Sequence, residues 1–356
     1  MPAHKFRLFR HLFLIVILAV SLRAQIVVRP DIDVLPTFGA PAGGERIRIT
    51  FLGSATNTCA TGVICTPIVT FDGLPATVAE NNTGSIVVVT PPHARGDVKI
   101  SIDVDGTKYQ AAFHYLTEED YERVLMPIVV GGPGAFGTNW IAESWIANSG
   151  ADPVDVRLSA CQLLISPCPP FIHLPPGGHQ FRLTPDRASA IPTPGAFIYV
   201  PRWALSQIHL NSRVVETSRQ GDQWGTELPF IRTADFVRDV LLLNVPNDSR
   251  FRTRLRIYGS SSAPQAARIR VWPATSDLAL VDQIVNLAGF VTILPVPFPN
   301  EPAYAEIALD SYTNLPGNGP LRVEITSEAP LWAFASITNN STQLVTTITP
   351  QPGDRR

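Results

Sequence analysis

Four cysteines, six tryptophans and seven histidines are the residues of this chain with the most specific chemistry. The cysteines form two close pairs, Cys59 with Cys65 in CATGVIC and Cys161 with Cys168 in CQLLISPC. Neither pair is a CxxC and no histidine sits close to either, so the spacing argues against zinc. Four cysteines allow three disulfide connectivities. Two local bridges are the simplest, each stabilising by roughly 2–3 kcal/mol through loop closure, with reactive thiols as the alternative. The histidines are scattered. His173 and His179 flank a Pro-Gly turn and are the one pair placed to share a surface metal. Solvent-facing loop residues are the simpler reading, and no metal or cofactor site is assigned.

The carboxylates and glycines carry less. Asp103 and Asp105 lie in DVDG, but Lys108 stands where a calcium loop needs further oxygen ligands. A hairpin turn explains them better. Asp31 and Asp33 read as solvated. Glycoside hydrolysis needs two positioned carboxyls, and nothing singles out a pair among 30 acidic residues. There is no HExxH, GxSxG, P-loop or GxGxxG before a helix. GGPGAFG at 131–137 lacks the Lys-Ser/Thr and the helix of a phosphate loop and reads as an inter-strand loop. All six tryptophans, Trp140, Trp145, Trp203, Trp224, Trp272 and Trp332, fall beyond residue 139. Trp145, Trp203 and Trp332 lie in alternating runs and are expected in cores. Trp140 and Trp224 sit beside glycine-rich turns. They are the surface candidates for binding a ligand, sugar rings among them.

The elements that would position these residues are strands. Proline, at 33 residues of 356, is about twice its usual share, which argues against long helices. Short apolar runs alternate: IRITF at 47–51, IVVVT at 86–90, VKISIDV at 98–104 and KYQAAFHY at 108–115. Asp105-Gly106 between the last two is a hairpin signal. TEEDYERV at 117–124 reads as a linker, with a single helical turn as the alternative. Regular short strands with turn chemistry between them predict an all-β chain of tandem immunoglobulin-like β-sandwich domains.

The first 24 residues read as a signal peptide. Lys5, Arg7 and Arg10 precede the apolar run 12–22, which is shorter than the ~20 residues a membrane span needs. Cleavage after Ala24 is expected, with an uncleaved anchor as the alternative. It would remove four basic residues (Lys5, Arg7, Arg10, Arg23) and no acid, taking the net charge from −2 to −6. A mildly acidic protein has no electrostatic footprint for nucleic acid or anionic membrane. The expected address is extracellular or periplasmic, where local disulfides persist.

Residues 30–116 resemble the IPT/TIG immunoglobulin-like domain. The resemblance rests on Pro36, Gly39 and Gly43-Gly44 before IRITF, on VTFDGLPATV at 69–78, on IVVVTPPHARGDVKISI at 86–102, and on Phe113 and Tyr115. It implies a small sandwich serving as a spacer or interaction module, without catalytic residues. The longer loop 54–66, which holds Cys59 and Cys65, departs from the pattern. Beyond it, two related units are read. ESWIANSGADPVDVRL (143–158) parallels RLRIYGSSSAPQAARIRV (254–271), LPPGGHQFRL (174–183) parallels LAGFVTIL (287–294), and RWALS (202–206) parallels LWAFAS (331–336). This half also resembles C-terminal regions of uncharacterised secreted bacterial proteins, which implies no activity. The domains expected are 28–116, 122–222 and 224–350. The function expected is a non-catalytic secreted or cell-surface protein for protein interaction, adhesion or spacing. The alternatives are carbohydrate binding and an extracellular hydrolase; the partner is an extracellular protein or polysaccharide.

Overall fold

The computed structural model describes residues 31–59, 62–128, 131–158, 171–183, 194–218, 225–289 and 302–350. The expected signal peptide, Cys161, Cys168 and Trp224 lie outside these residues. Among the described residues the chain is strands joined by turns and five short 3-10 turns. No helix among the described residues is long and apolar enough to cross a membrane.

The first unit holds β1 (Ile32–Leu35), β2 (Phe38–Gly39), β3 (Arg46–Phe51), β4 (Ile68–Phe71), β5 (Leu74–Pro75), β6 (Thr77–Asn82), β7 (Ser85–Val89), β8 (Gly96–Val104) and β9 (Thr107–Tyr115). They form two sheets, β1-β3-β7-β6 and β2-β9-β8-β4-β5. The alternating runs place Ile47, Ile49, Ile86, Val88, Ile100, Ile102, Phe71 and Phe113 in one core between them. Asp105 and Gly106 both have positive φ, 50° and 88°, and the Asp103 carboxylate accepts the Gly106 N–H at 2.8 Å. The DVDG acids therefore hold a hairpin, as their context predicts.

Gly43 has φ +67°, and a Cβ there would lie 2.6 Å from the Pro91 backbone. Gly43 and the Pro-Pro turn thus need each other. Gly43→Ala is expected to cost about 2–4 kcal/mol, from left-handed strain plus overpacking. Chemical denaturation of the wild type and variant measures it.

The disulfide expected between Cys59 and Cys65 is present, with Cα atoms 5.7 Å apart. Its loop is tied to the β6–β7 hairpin by Asn57, which is fully buried. The Asn57 amide donates to the Asn81 side chain (2.8 Å) and the Asn82 carbonyl (2.7 Å) and accepts the Gly84 N–H (3.0 Å). Cys59→Ser with Cys65→Ser should lower stability by about 2 kcal/mol, the entropy of so short a loop; denaturation of the double variant tests this.

The second unit holds β10 (Tyr121–Met126), β11 (Gly131–Pro133), β12 (Asn139–Asn148), β13 (Val154–Leu158), β14 (Phe171–Leu174), β15 (Gln180–Arg182), β16 (Ala196–Pro201), β17 (Ile208–Glu216), β18 (Thr226–Leu228) and β19 (Ile231–Arg232). The third holds β20 (Val237–Pro246), β21 (Phe251–Gly259), β22 (Gln265–Pro273), β23 (Val281–Leu287), β24 (Tyr304–Ala308), β25 (Pro320–Asn339) and β26 (Val345–Ile348). TEEDYERV is a 3-10 turn, Glu118–Asp120, running straight into β10.

The two units share a connectivity. β12 pairs with β15 and β17, while β13 pairs with β14 and β16. In the same way β21 pairs with β24 and β25, while β22 pairs with β23 and β25. The 20-residue β25 does alone what β16 and β17 do together: its first half pairs with β20 and β22 and its second half with β21 and β26. In the second unit the 3-10 turn Arg202–Ala204 divides the two halves. ESWIANSGADPVDVRL is not a hairpin, because β12 and β13 enter different sheets. β18 and β19 pair with β17 and β10, so the second unit's sheets run on past residue 222 to Arg232.

Candidate functional site

The second unit is built around the sheet β14-β13-β16-β10-β19. Its inner face packs Val124, Met126, Val154, Val156 and Ile198 into that unit's own core. Its outer face is largely covered as well. Phe38 of the first unit and Tyr258, Trp332 and Phe334 of the third close on Tyr121, Leu125, Phe197 and Tyr199 in one aromatic cluster. β16, AFIYVP, is therefore buried at every residue. A run with no alternation is the signature of a strand covered on both faces, and this is the signal in the sequence that marks the joint.

The rings interlock at specific distances. Phe38 meets Tyr121 edge-on at 5.6 Å, and the Arg157 guanidinium lies 4.6 Å over Phe38. Trp332 lies 5.1 Å from Phe334 and 6.1 Å from Tyr258. The Tyr258 hydroxyl donates to the carbonyls of Pro127 and Pro194 (2.9 Å to the latter), tying the third unit to the second. Burial pushes the phenols of Tyr121, Tyr199 and Tyr258 up from their ordinary value near 10.0.

A charged latch sits beside the rings. The Asp155 carboxylate is wholly buried. It accepts from the backbone N–H of Thr37 (2.5 Å), from the Thr37 hydroxyl (2.6 Å) and from His173 Nδ1 (2.7 Å). The hydrogen bond to Asp155 raises the His173 pKa above its ordinary 6.5; burial opposes this, and the charges of Asp155 and Asp33 add to it. His173 is thus a residue of the joint, bonded to the carboxylate that holds Thr37. Among the described residues no group of three or more His, Cys, Asp or Glu could hold a metal ion. Alternation around Val154 and Val156 would put Asp155 in solvent, and no sequence signal exposes its role.

The opposite sheet, β11-β12-β17-β18 with β15 on β12, carries an outward row of polar side chains. Trp145 stands in it, facing Asn211 on β17 and Arg182 on β15. Glu143 accepts from Arg213 Nε at 2.8 Å and lies 3.7 Å from Arg182. Trp145, Gln180, His209, Asn211, Arg213 and Glu227 line a half-open groove of about 460 Å³.

The tryptophans are sorted by packing rather than by alternation alone. Trp332 is buried as expected, but in the joint rather than within one sandwich. Trp203, expected in a core, is 44% exposed. It sits on the turn that divides β16 from β17, with its ring 5.6 Å from His114 of the first unit. Trp145, also expected in a core, faces outward because Ala142, Ser144 and Ile146 take the inner positions of β12. Trp272 is buried on an outward face beneath Arg322 (4.6 Å) and Arg270 (5.4 Å). Trp140, expected on the surface, is half-buried against the joint cluster, with its indole N–H on the Thr138 hydroxyl at 3.0 Å.

The family model described as the IPT/TIG domain matches residues 32–115, the whole of the first sandwich. The sequence matches no curated protein. Solved structures with some likeness include a candidate phosphatase from Bacteroides thetaiotaomicron, 17% identical over 30% of this chain and 21% of its own, TM-score 0.17. This chain thus spans about a fifth of that protein's length. An auxiliary nutrient binding protein from Bacteroides ovatus is 12% identical over 89% of this chain and 69% of its own, TM-score 0.17. The mixed-linkage glucan utilization locus protein SGBP-B of Bacteroides ovatus, solved with a heptasaccharide, is 9% identical over 88% and 72%, TM-score 0.17. A TM-score of 0.17 is too low to establish a common arrangement, and what these proteins bind does not transfer to this chain.

Proposed function

We propose that this chain is an exported, non-catalytic interaction protein, in which an IPT/TIG sandwich and two further sandwiches form one stiff body that presents the outward Trp145 face to a partner. The observation that carries this is the shared aromatic cluster. Modules on a flexible tether keep separate cores and polar surfaces between them. Here the middle sheet instead exposes an apolar outer face that only its neighbours cover. Ordering three sandwiches in this way holds a binding face at a fixed orientation and lowers the entropy lost on binding. The Cys59–Cys65 disulfide and the charge and apolar pattern of residues 1–24 support an oxidising, exported setting.

Small-angle scattering tests the reading. The full chain is expected to scatter as one rigid particle, with no change in dimensions across salt concentrations. An ensemble of freely jointed modules would overturn it, as would turnover of ester, peptide or glycoside substrates by the purified protein.

A further inference from the structure

We infer that the outward face of the β15-β12-β17-β18 sheet binds a neutral saccharide chain, with the Trp145 indole as the stacking surface. This rests on the interaction reading above and names the ligand class for that face.

Three features of the groove point to this chemistry. The first is the indole itself. Outward positions of a wet strand ordinarily carry small or charged side chains, yet Trp145 stands there between Arg182 and Asn211. Its flat apolar surface is complementary to the C–H face of a pyranose ring, which buries apolar area without needing a cavity. The Arg182 guanidinium lies 6.0 Å from the ring centroid, at the outer limit of cation–π contact, and its partner Glu143 holds it from the side. In the third unit the outward Trp272 lies buried beneath two arginines, so its faces are already occupied.

The second feature is charge. Arg182 and Arg213 are matched by Glu143 and Glu227, and Glu143 is shared between both arginines. Asn211 reaches Glu227 only at 3.5 Å. Two arginines set against two carboxylates leave the face without net charge, so it has no attraction for an anionic polymer and an uncharged ligand is favoured. The third is the pair of exposed amides, Gln180 and Asn211, on either side of the β12 row. Each offers a donor and an acceptor on one planar group, the pattern that two adjacent hydroxyls satisfy. The groove volume, about 460 Å³, falls in the range of small-ligand sites.

Affinity electrophoresis and calorimetry of the full chain test this, with a β-glucan and a xylan as neutral probes and polygalacturonate as the acidic one. Retardation by a neutral probe is expected. Trp145→Ala should weaken it by about tenfold or more, since the stacking anchor is lost. Asn211→Ala, an exposed change, should weaken it several-fold with the fold intact by circular dichroism. Trp140→Ala should leave it unaltered. Binding that survives both Trp145→Ala and Asn211→Ala, binding to polygalacturonate alone, or binding to none of the probes would each overturn the inference. A rigid particle in scattering with no saccharide bound would remove this inference and leave the scaffold reading standing; loosely jointed modules would remove the scaffold reading itself.

Discussion

Asp155→Ala is expected to destabilise the protein by about 3–5 kcal/mol and to release the first sandwich from the second. The carboxylate is fully buried and takes three hydrogen bonds, two from Thr37 of the first unit and one from His173. Removing it strands two donors of Thr37 and a histidine that burial had paired. The cost of stranding these part-buried partners around an emptied, buried site exceeds the modest net worth of the bonds themselves. Equilibrium denaturation gives the loss, and scattering gives the released joint. Thr37→Val removes only the hydroxyl donor and should cost about 1 kcal/mol. If Asp155→Ala behaves like that milder change, the latch is not what holds the joint.

The same latch makes stability depend on pH in a defined direction. The folded-state pKa of His173 is raised above its ordinary 6.5, chiefly by its hydrogen bond to Asp155. The protonated pair therefore contributes fully below pH 6.5, and its contribution is lost as pH rises through the raised folded value. Charged and titratable neighbours across the joint are Asp33 of the first unit, Arg157 and Glu45, which pair at 3.6 Å, and Tyr121. Denaturation at about pH 5.5 and about pH 8.5 should show a more stable joint at the lower value. His173→Gln should flatten that difference, and an unchanged pH profile would refute the assignment.

Trp332→Ala is the second large effect, expected to cost about 3–5 kcal/mol, the range for truncating a buried aromatic. Its ring fills the space between Phe334 at 5.1 Å and Tyr258 at 6.1 Å. The cavity would open where the third unit meets the second, so hydrogen exchange should rise on both sides, in β16 as well as β25. Trp203→Ala is the control. Although its RWALS segment parallels LWAFAS, Trp203 is 44% exposed, and its loss should stay within about 1 kcal/mol. Equal losses for the two would mean that the joint is not specially packed.

Each local element was legible from residues a few positions apart. IRITF, VKISIDV and KYQAAFHY became strands because their side chains alternate with period two, and Asp105-Gly106 became a hairpin because both residues accept positive φ. The Cys59–Cys65 bridge followed from proximity in the chain. The tandem sandwiches and the IPT/TIG module rest on the same short-range patterns. What alternation cannot tell is which face of a strand is covered, or by what. It assigned Trp145 to a core when its row faces outward, and it would leave Asp155 in water when the first sandwich buries it. RWALS and LWAFAS look alike, yet Pro201-Arg202-Trp203 turns while Leu331-Trp332 continues a 20-residue strand. By itself, then, the sequence determined the strands, their turns and the fold class, because those depend on neighbours along the chain. Only the tertiary structure decided the joint, the latch and which row of β12 faces outward, because pairing and burial there come from residues distant in the chain, as between Thr37 and Asp155, more than a hundred residues apart.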